Sequence, residues 1–498
     1  MPDTIDALVR LRAACDGAKH AVIDPSVHLT YGELDTTTIE LAADLVAAGV
    51  SKGTRVGLIM PNCAEWVRIA VALTRIGAVL VPLSTLLQPP ELAAQLRTAS
   101  VQVLIAVDEF RGHRYLDAVA PERSNLPALR QVWRADRLPV GGNSSAADAM
   151  TAAVTPSDTL AIMFTSGSSG PPKGVTHSHG NALGAVRAGL DARCIDADTR
   201  LYLPMPFFWV GGLGSGVLSA LLAGATLVTE QIPRPETTLR LLERERVTLF
   251  RGWPDQAEAL ARESASVGAD LSSLRVGSLE ALLPGDLRSP PGARAKLFGM
   301  TESFGPYCGY RADTDMPRSA WGSCGKPFDG MDVRIVDPDT GMPVGAGTIG
   351  EIQIRGPHVM RGICRRSRED VFTPECYYPT GDLGHLDGDG FMFYHGRSDD
   401  MFKVSGATVY PSEVEQALRS IDGVQAAFVT DVERAVGAVV ITERSVADVH
   451  TAARERLSAF KVPTVWLTVD SDDDIPRKAT GKVDVPRLRE MLHGARRT

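Results

Sequence analysis

The feature that most constrains this chain is a rhythm in which short apolar runs alternate with amphipathic stretches of helical length. "RVGLIM" is followed by "PNCAEWVRIAVALTRIG" and then by "AVLVPL". A brief apolar run bounded by turn residues reads as a strand buried on both faces. Two such strands joined by a helix form a crossover unit, which predicts a mostly parallel sheet covered by helices. The pattern returns at "VQVLIAV", and again through "NALGAVRAGL", "LYLPM", "GVLSALLAG" and "ATLVTE". Before it, "LTYGELDTTTIELAADLVAAGV" reads as a turn and an amphipathic helix ending near Gly49.

The texture changes after about Trp321. "GKPFDGMDVRIVDPDTGMPVGAGTIGEIQIRG" has short alternating strands broken by Asp, Pro and Gly, the pattern of antiparallel sheet or a small barrel. From "VYPSEVEQALRSIDGVQAAFVT" onward, helix and strand are mixed, and the polar stretch His395 to Gly406 reads as the joint. The expected fold is therefore α/β: a large N-terminal region of helix-covered sheets with a small β-barrel-like part, then a small α+β C-terminal domain.

With 498 residues the chain is long enough for two or more domains. A net charge of -8 argues against nucleic acid or an anionic membrane as the main partner. Cys15, Cys63, Cys194, Cys308, Cys324, Cys364 and Cys376 are scattered, odd in number and without a C-x-x-C pair, as expected of reduced thiols in a cytoplasmic enzyme. The first residues lack the apolar core of a secretory signal. The longest apolar window, "RIAVALTRIGAVLVPLSTLL", carries Arg68 and Arg75 and is too charged for a membrane span.

One loop stands out chemically. "TSGSSGPPKGV" follows the apolar "LAIMF", a strand by composition. Gly167 and Gly170 supply tight turns, Thr165, Ser166, Ser168 and Ser169 supply hydroxyl donors, and Lys173 supplies a point charge. Free backbone N–H groups beside a cation suit a polyphosphate. The loop is not a Walker A motif, because Pro172 stands where that pattern has glycine. Taken alone it also reads as a surface turn.

Further signals follow in order: "LFGMTES" with Thr301 and Glu302, "YYPTGDLG" with Asp382, "GRSDDMFKVSG" with Arg397, and "PRKATGKV" with Lys482. Together with the loop they resemble the acyl-adenylate-forming superfamily: acyl-CoA synthetases, peptide-synthetase adenylation domains and beetle luciferases. The resemblance runs from about Leu29 to the C-terminus and is nearest to an acyl-CoA synthetase.

That resemblance implies a two-step reaction. A carboxylate attacks the α-phosphate of ATP to give acyl-AMP and pyrophosphate, and a thiol then displaces AMP. Thr165–Lys173 would grip the leaving phosphates, Thr301 would contact the α-phosphate, and Glu302 would help hold Mg²⁺. Phe298, Gly299 and Met300 would line the adenine and acyl sites, Asp382 would take the ribose hydroxyls, and Arg397 would add a nucleotide contact. Lys482 would bridge carboxylate and α-phosphate in the transition state, with Lys478 its rival. Asp399 would be the hinge between residues 1–396 and a mobile domain, 397–498, whose Gly406 region faces the thiol tunnel.

The acyl pocket is expected at "LPMPFFWVGGL", with Phe207, Phe208, Trp209 and Gly212, joined by Gly277 and Ser278. No Asp or Glu lies between Pro204 and Gly216, so an α-amino acid would find no partner for its ammonium. The usual histidine of this stretch is missing, Glu280 is unexpected, Leu283–Leu297 is short and proline-rich, and Pro379 stands where a basic residue is common. The leading expectation is ATP-dependent ligation of an apolar carboxylic acid to coenzyme A. The alternatives are loading of a carrier protein's phosphopantetheine, and a catalytically reduced acyl-AMP-binding scaffold. Oligomeric state is left open.

Overall fold

The computed structural model describes residues 2–165, 173–398, 402–404, 407–433, 435–457, 459–477 and 483–495. The chain divides into two units. The first comprises Met1–Val333, Ile354–Tyr378 and Gly390–Met392.

The apolar runs of the sequence become its two main sheets. In the seven-stranded sheet, Arg55–Ile59, Val79–Pro82, Val103–Ala106 and Gln131–Arg134 run parallel, and Thr159–Thr165 continues parallel to Val79–Pro82. The direction then reverses: Lys173–Ser178 pairs antiparallel with Thr159–Thr165, and Gly362–Ile363 adds a short antiparallel edge. The five-stranded sheet is built on parallel strands His20–Ile23, Thr226–Val228, Arg200–Tyr202 and Leu249–Phe250. His28–Thr30 closes one edge antiparallel.

The helix Tyr31–Ala47 begins where its sequence permits. Thr30 caps it by accepting from the Glu33 N–H, while the Glu33 carboxylate accepts from the Thr30 N–H. The helix Ala64–Arg75 touches a strand of each sheet and buries Trp66, Val67, Ile69 and Leu73 completely. Its charged residues are accounted for locally. Arg68 pairs with Glu65 at 2.7 Å, and Arg75, only 1% exposed, pairs with Asp6 at 2.6 Å and Asp35 at 2.8 Å. Among the described residues no helix is long and apolar enough to cross a membrane.

The change of texture near Trp321 is real. Phe298–Met300, Gly305–Gly309 and Lys326–Pro327 form an antiparallel three-stranded sheet. Asp332–Val336, Gly350–Arg355, Tyr378–Leu386 and Met392–Arg397 form a four-stranded one. These are open sheets; no closed barrel forms among the described residues.

The second unit comprises Arg334–Gln353, Pro379–Asp389 and Phe393–Thr498. It takes most of the four-stranded sheet. Its α+β part is a hairpin, Val424–Val432 with Ala435–Thr442, extended by the parallel strand Val465–Val469. Helices Pro411–Arg419, Val446–Arg454 and Val485–Ala495 bring Val414, Leu418, Val449, Ala453, Leu488 and Leu492 onto it, all essentially buried.

Candidate active site

The glycine-rich loop joins two strands whose register is fixed. Thr165 sits opposite Lys173, Met163 opposite Val175 and Ala161 opposite His177. Thr165 and Lys173 are thus held side by side at the neck of the loop. Ser166, Gly167, Ser168, Ser169 and Gly170 lie outside the described residues.

His177, on the second strand of this hairpin, belongs to no motif of the sequence. It is 0% exposed. Its Nε2 lies 2.8 Å from the Thr301 carbonyl oxygen, and its Nδ1 lies 2.9 Å from Asn181 Nδ2. A carbonyl can only accept, so Nε2 carries the proton, and Nδ1 accepts from the Asn181 amide. The amide is itself oriented, because Asn181 Oδ1 accepts from the Ser178 N–H at 2.6 Å. Burial drives the His177 pKa down to about 3, against the opposing pull of its two hydrogen bonds. The ring is a fixed neutral strut between the loop-bearing hairpin and the Thr301 corner. The strand alternation that buries Val175 offered the signal, since His177 lies on the same face two residues on.

The corner has demanding geometry. Phe298–Met300 is a strand, Thr301–Ser303 a single 3₁₀ turn, and Phe304 adopts φ +52°. Ser303 Oγ bonds the Gly305 carbonyl at 2.7 Å. A Cβ on Gly299 would lie 2.0 Å from that same oxygen, so the close approach requires glycine. Glu302 is 6% exposed. Its Oε1 accepts from the Tyr378 hydroxyl at 3.1 Å, and its backbone carbonyl accepts from Met360 N at 2.8 Å. No cation pairs with this carboxylate among the described residues.

The expected acyl stretch divides by burial. Phe207 is fully buried against Trp66, ring centroids 5.3 Å apart, and Phe208 is 5% exposed. Trp209 keeps accessible surface and meets Trp253 edge-on at 5.7 Å. Asn62 fixes the segment, donating to the Met205 carbonyl at 2.9 Å and accepting from Phe207 N at 2.8 Å. Gly212 is packed so closely that a Cβ would lie 2.0 Å from the Pro206 oxygen. Gly277 has φ +99°, and buried Ser278 accepts from Phe250 N through its hydroxyl at 3.2 Å. Glu280 has a local explanation: its carboxylate accepts from Ser289 N at 3.0 Å and pins the Leu283–Leu297 stretch.

In the second unit, Asp382 and Arg397 are brought together. Arg397 Nη1 donates to Asp382 Oδ1 at 3.0 Å and to the Thr380 carbonyl at 3.2 Å. Gly381, at φ +71°, makes the turn that allows this; a Cβ there would lie 2.7 Å from Arg397 Nη2. Asp399, Gly406, Lys478 and Lys482 lie outside the described residues. Arg477 and Val483, which flank the two lysines, pair as an antiparallel bridge.

Over residues 9–364 the sequence matches the family described as AMP-binding enzyme. The chain belongs to that family. This AMP-binding enzyme is 33% identical to a 7a-methyl-1,5-dioxo-octahydro-indenyl-propanoyl:CoA ligase of Mycobacterium tuberculosis, over 99% of its own length and 98% of the relative's. It is 34% identical to a feruloyl-CoA synthase of an Amycolatopsis species, over 91% of its own length and 92% of the relative's. Among solved structures, it is similar to an anthranilate CoA ligase in complex with anthranoyl-AMP, with TM-score 0.82, 25% identity, and coverage of 100% and 99% of the two chains.

Proposed function

We propose that this AMP-binding enzyme activates an apolar carboxylic acid with ATP and transfers the acyl group to coenzyme A. The carboxylate attacks the α-phosphorus, the bond to the bridging oxygen breaks, and pyrophosphate leaves. The CoA thiol, losing its proton, then attacks the acyl carbon and AMP departs. Bringing two anions together needs neutralised charge and fixed alignment.

One observation carries the reading. Through His177, the strand bearing Lys173 is tied to the corner bearing Glu302, a buried carboxylate with no cationic partner among the described residues. Buried carboxylates are ordinarily paired or bound to a metal, and hard oxygen donors suit Mg²⁺. The residues present therefore fit that ion: Glu302 would hold it, and when bound it would offset charge on the phosphates. Thr301 would then contact the α-phosphate, Lys173 and the loop the leaving group, and Asp382 with Arg397 the nucleoside. Lys482 would supply the cation that couples the attacking carboxylate to the α-phosphate, and Asp399 the hinge that withdraws it.

An apolar acid accords with Trp209 and Trp253 flanking the proposed acyl site and with the absence of acidic residues between Pro204 and Gly216. The ring-bearing acids in the relatives' names agree with this. Carboxylate-dependent exchange of labelled pyrophosphate into ATP tests the first step, and thioester formation with free CoA tests the second. No exchange with any acid of a broad aliphatic, aryl and polycyclic panel would overturn the proposal.

A further inference from the structure

Arg251 lies just past the carboxyl end of the strand Leu249–Phe250, and its backbone N–H donates to the Tyr202 carbonyl at the end of the neighbouring parallel strand. Carboxyl ends of parallel strands are where open α/β sheets receive ligands. Two residues on, Trp253 meets Trp209. The Arg251 guanidinium donates from Nη1 to the Gly277 carbonyl at 2.6 Å. The guanidinium therefore borders the Gly277 part of the acyl site proposed above, and its backbone lies two residues before Trp253.

Its charge is unbalanced. Arg251 is half-buried, and no carboxylate pairs with it among the described residues. Within electrostatic reach lies a second guanidinium, Arg193, which is 2% exposed and likewise has no carboxylate partner among the described residues. Arg193 serves the fold, since its Nη1 donates to the Val186 carbonyl at 3.3 Å, in the last turn of the helix His179–Ala188, where a cation is favoured. Its Nε has no hydrogen-bond partner among the described residues. Among the described residues Arg251 caps no helix end, and the Gly277 carbonyl uses one of its five N–H groups. Burial lowers the pKa of both groups, Arg193 to about 10, with the neighbouring guanidinium adding to the effect there. A mostly buried guanidinium held against the Gly277 carbonyl, with no carboxylate counter-group among the described residues, is costly unless something arriving from outside completes it.

We propose that Arg251 determines specificity by binding an oxygen acceptor at the far end of the acyl substrate, so that the preferred acid is apolar in its body and carries a keto or second carboxylate oxygen at its tip. This rests on the acyl-site reading above. A planar fork of donors suits either oxygen, and sites built to hydrogen-bond a substrate group discriminate strongly against analogues that lack it.

The test is pyrophosphate release with three acids of one shape: 3-cyclohexylpropanoate, 3-(4-oxocyclohexyl)propanoate and 3-(4-carboxycyclohexyl)propanoate. The expected result for the wild type is a kcat/KM at least about tenfold higher for one of the oxygenated acids than for the plain one. Which of the two is preferred identifies the acceptor. In Arg251→Met that ratio falls to about threefold or less, chiefly through KM, and Arg251→Lys is intermediate. Equal or better use of the plain acid by the wild type overturns the inference, and this comparison needs no variant to fold. A ratio that survives in Arg251→Met, with all acids slowed alike, also overturns it, since that is what loss of the Gly277 contact alone would give. Release with every acid but no preference leaves the adenylation reading standing and removes only this inference. Release with none of these acids, nor with a wider aryl panel, removes both.

Discussion

At the scale of single residues, His177 illustrates how one side chain sets the alignment of others. Replacing it with leucine removes one of the two donors to the Thr301 carbonyl, which keeps the Phe304 N–H, and one of the two acceptors of the buried Asn181 amide, which keeps the His358 carbonyl. The expected cost is about 1–3 kcal/mol of stability, read from urea midpoints, with a fall in adenylation kcat. The proton linkage has a definite sign. The ordinary imidazole pKa of 6.5 falls to about 3 on folding, so the unfolded chain binds the extra proton between those values. The contribution is therefore complete above about pH 6.5 and is lost as pH falls toward 3. His179, also buried and lowered to about 4, acts in the same direction. Urea midpoints should decline on acidification below pH 6.5, and the slope should be smaller in His177→Gln; an unchanged slope would contradict the assignment. Gly381 is the second decisive position. Gly381→Ala places a methyl 2.7 Å from Arg397 at φ +71°, and is expected to cost about 1 kcal/mol and to raise the KM for ATP several-fold.

At the scale of elements, the corner Thr301–Ser303 and the hairpin of Thr159–Thr165 with Lys173–Ser178 are tied together through His177 and form the proposed working pair. Glu302→Gln keeps the acceptor for Tyr378 but removes the charge proposed to hold Mg²⁺. The expected outcome is an increase of at least about tenfold in the Mg²⁺ concentration needed for half-maximal pyrophosphate exchange, with melting temperature little changed. An unaltered Mg²⁺ requirement would remove Glu302 from that role. Parallel strands such as Arg55–Ile59, Val79–Pro82 and Val103–Ala106 were legible in the sequence because each is an apolar run, whereas Gln131–Arg134, with polar ends, was not; of the hairpin only the first strand, Thr159–Thr165, was legible. His177, Asn62 and Arg251 were not legible. Each acts on a partner remote in sequence, such as Thr301, Met205 and Gly277, and no local pattern announces such a partner. Phe207, Phe208 and Trp209 read alike as aromatics, and only packing separates core Phe207 from Trp209 with its accessible edge. Glu280 was ambiguous for the same reason, since its partner is the backbone N–H of Ser289 in the following loop.

At the scale of the whole molecule, the proposed cycle separates into two half-reactions that different residues should govern. Lys482→Ala is expected to abolish pyrophosphate exchange, about a hundredfold or more, while largely sparing thioester formation from supplied acyl-AMP. Asp399→Pro, which restricts backbone rotation at the proposed hinge, is expected to do the reverse. Assaying the two steps separately for each variant decides both roles, and parallel losses would refute them. One feature of the seven-stranded sheet reaches beyond catalysis. Among the described residues, the strand Lys173–Ser178 gains its outer neighbour only from Gly362–Ile363, far along the chain. During synthesis, the ribosome must deliver that late segment before the hairpin's open side is covered. Until then the nascent hairpin offers bare N–H and C=O groups to any passing strand. Chains stopped shortly before residue 362 should therefore collect in insoluble aggregates, whereas chains released just after it should stay in solution with the help of chaperones.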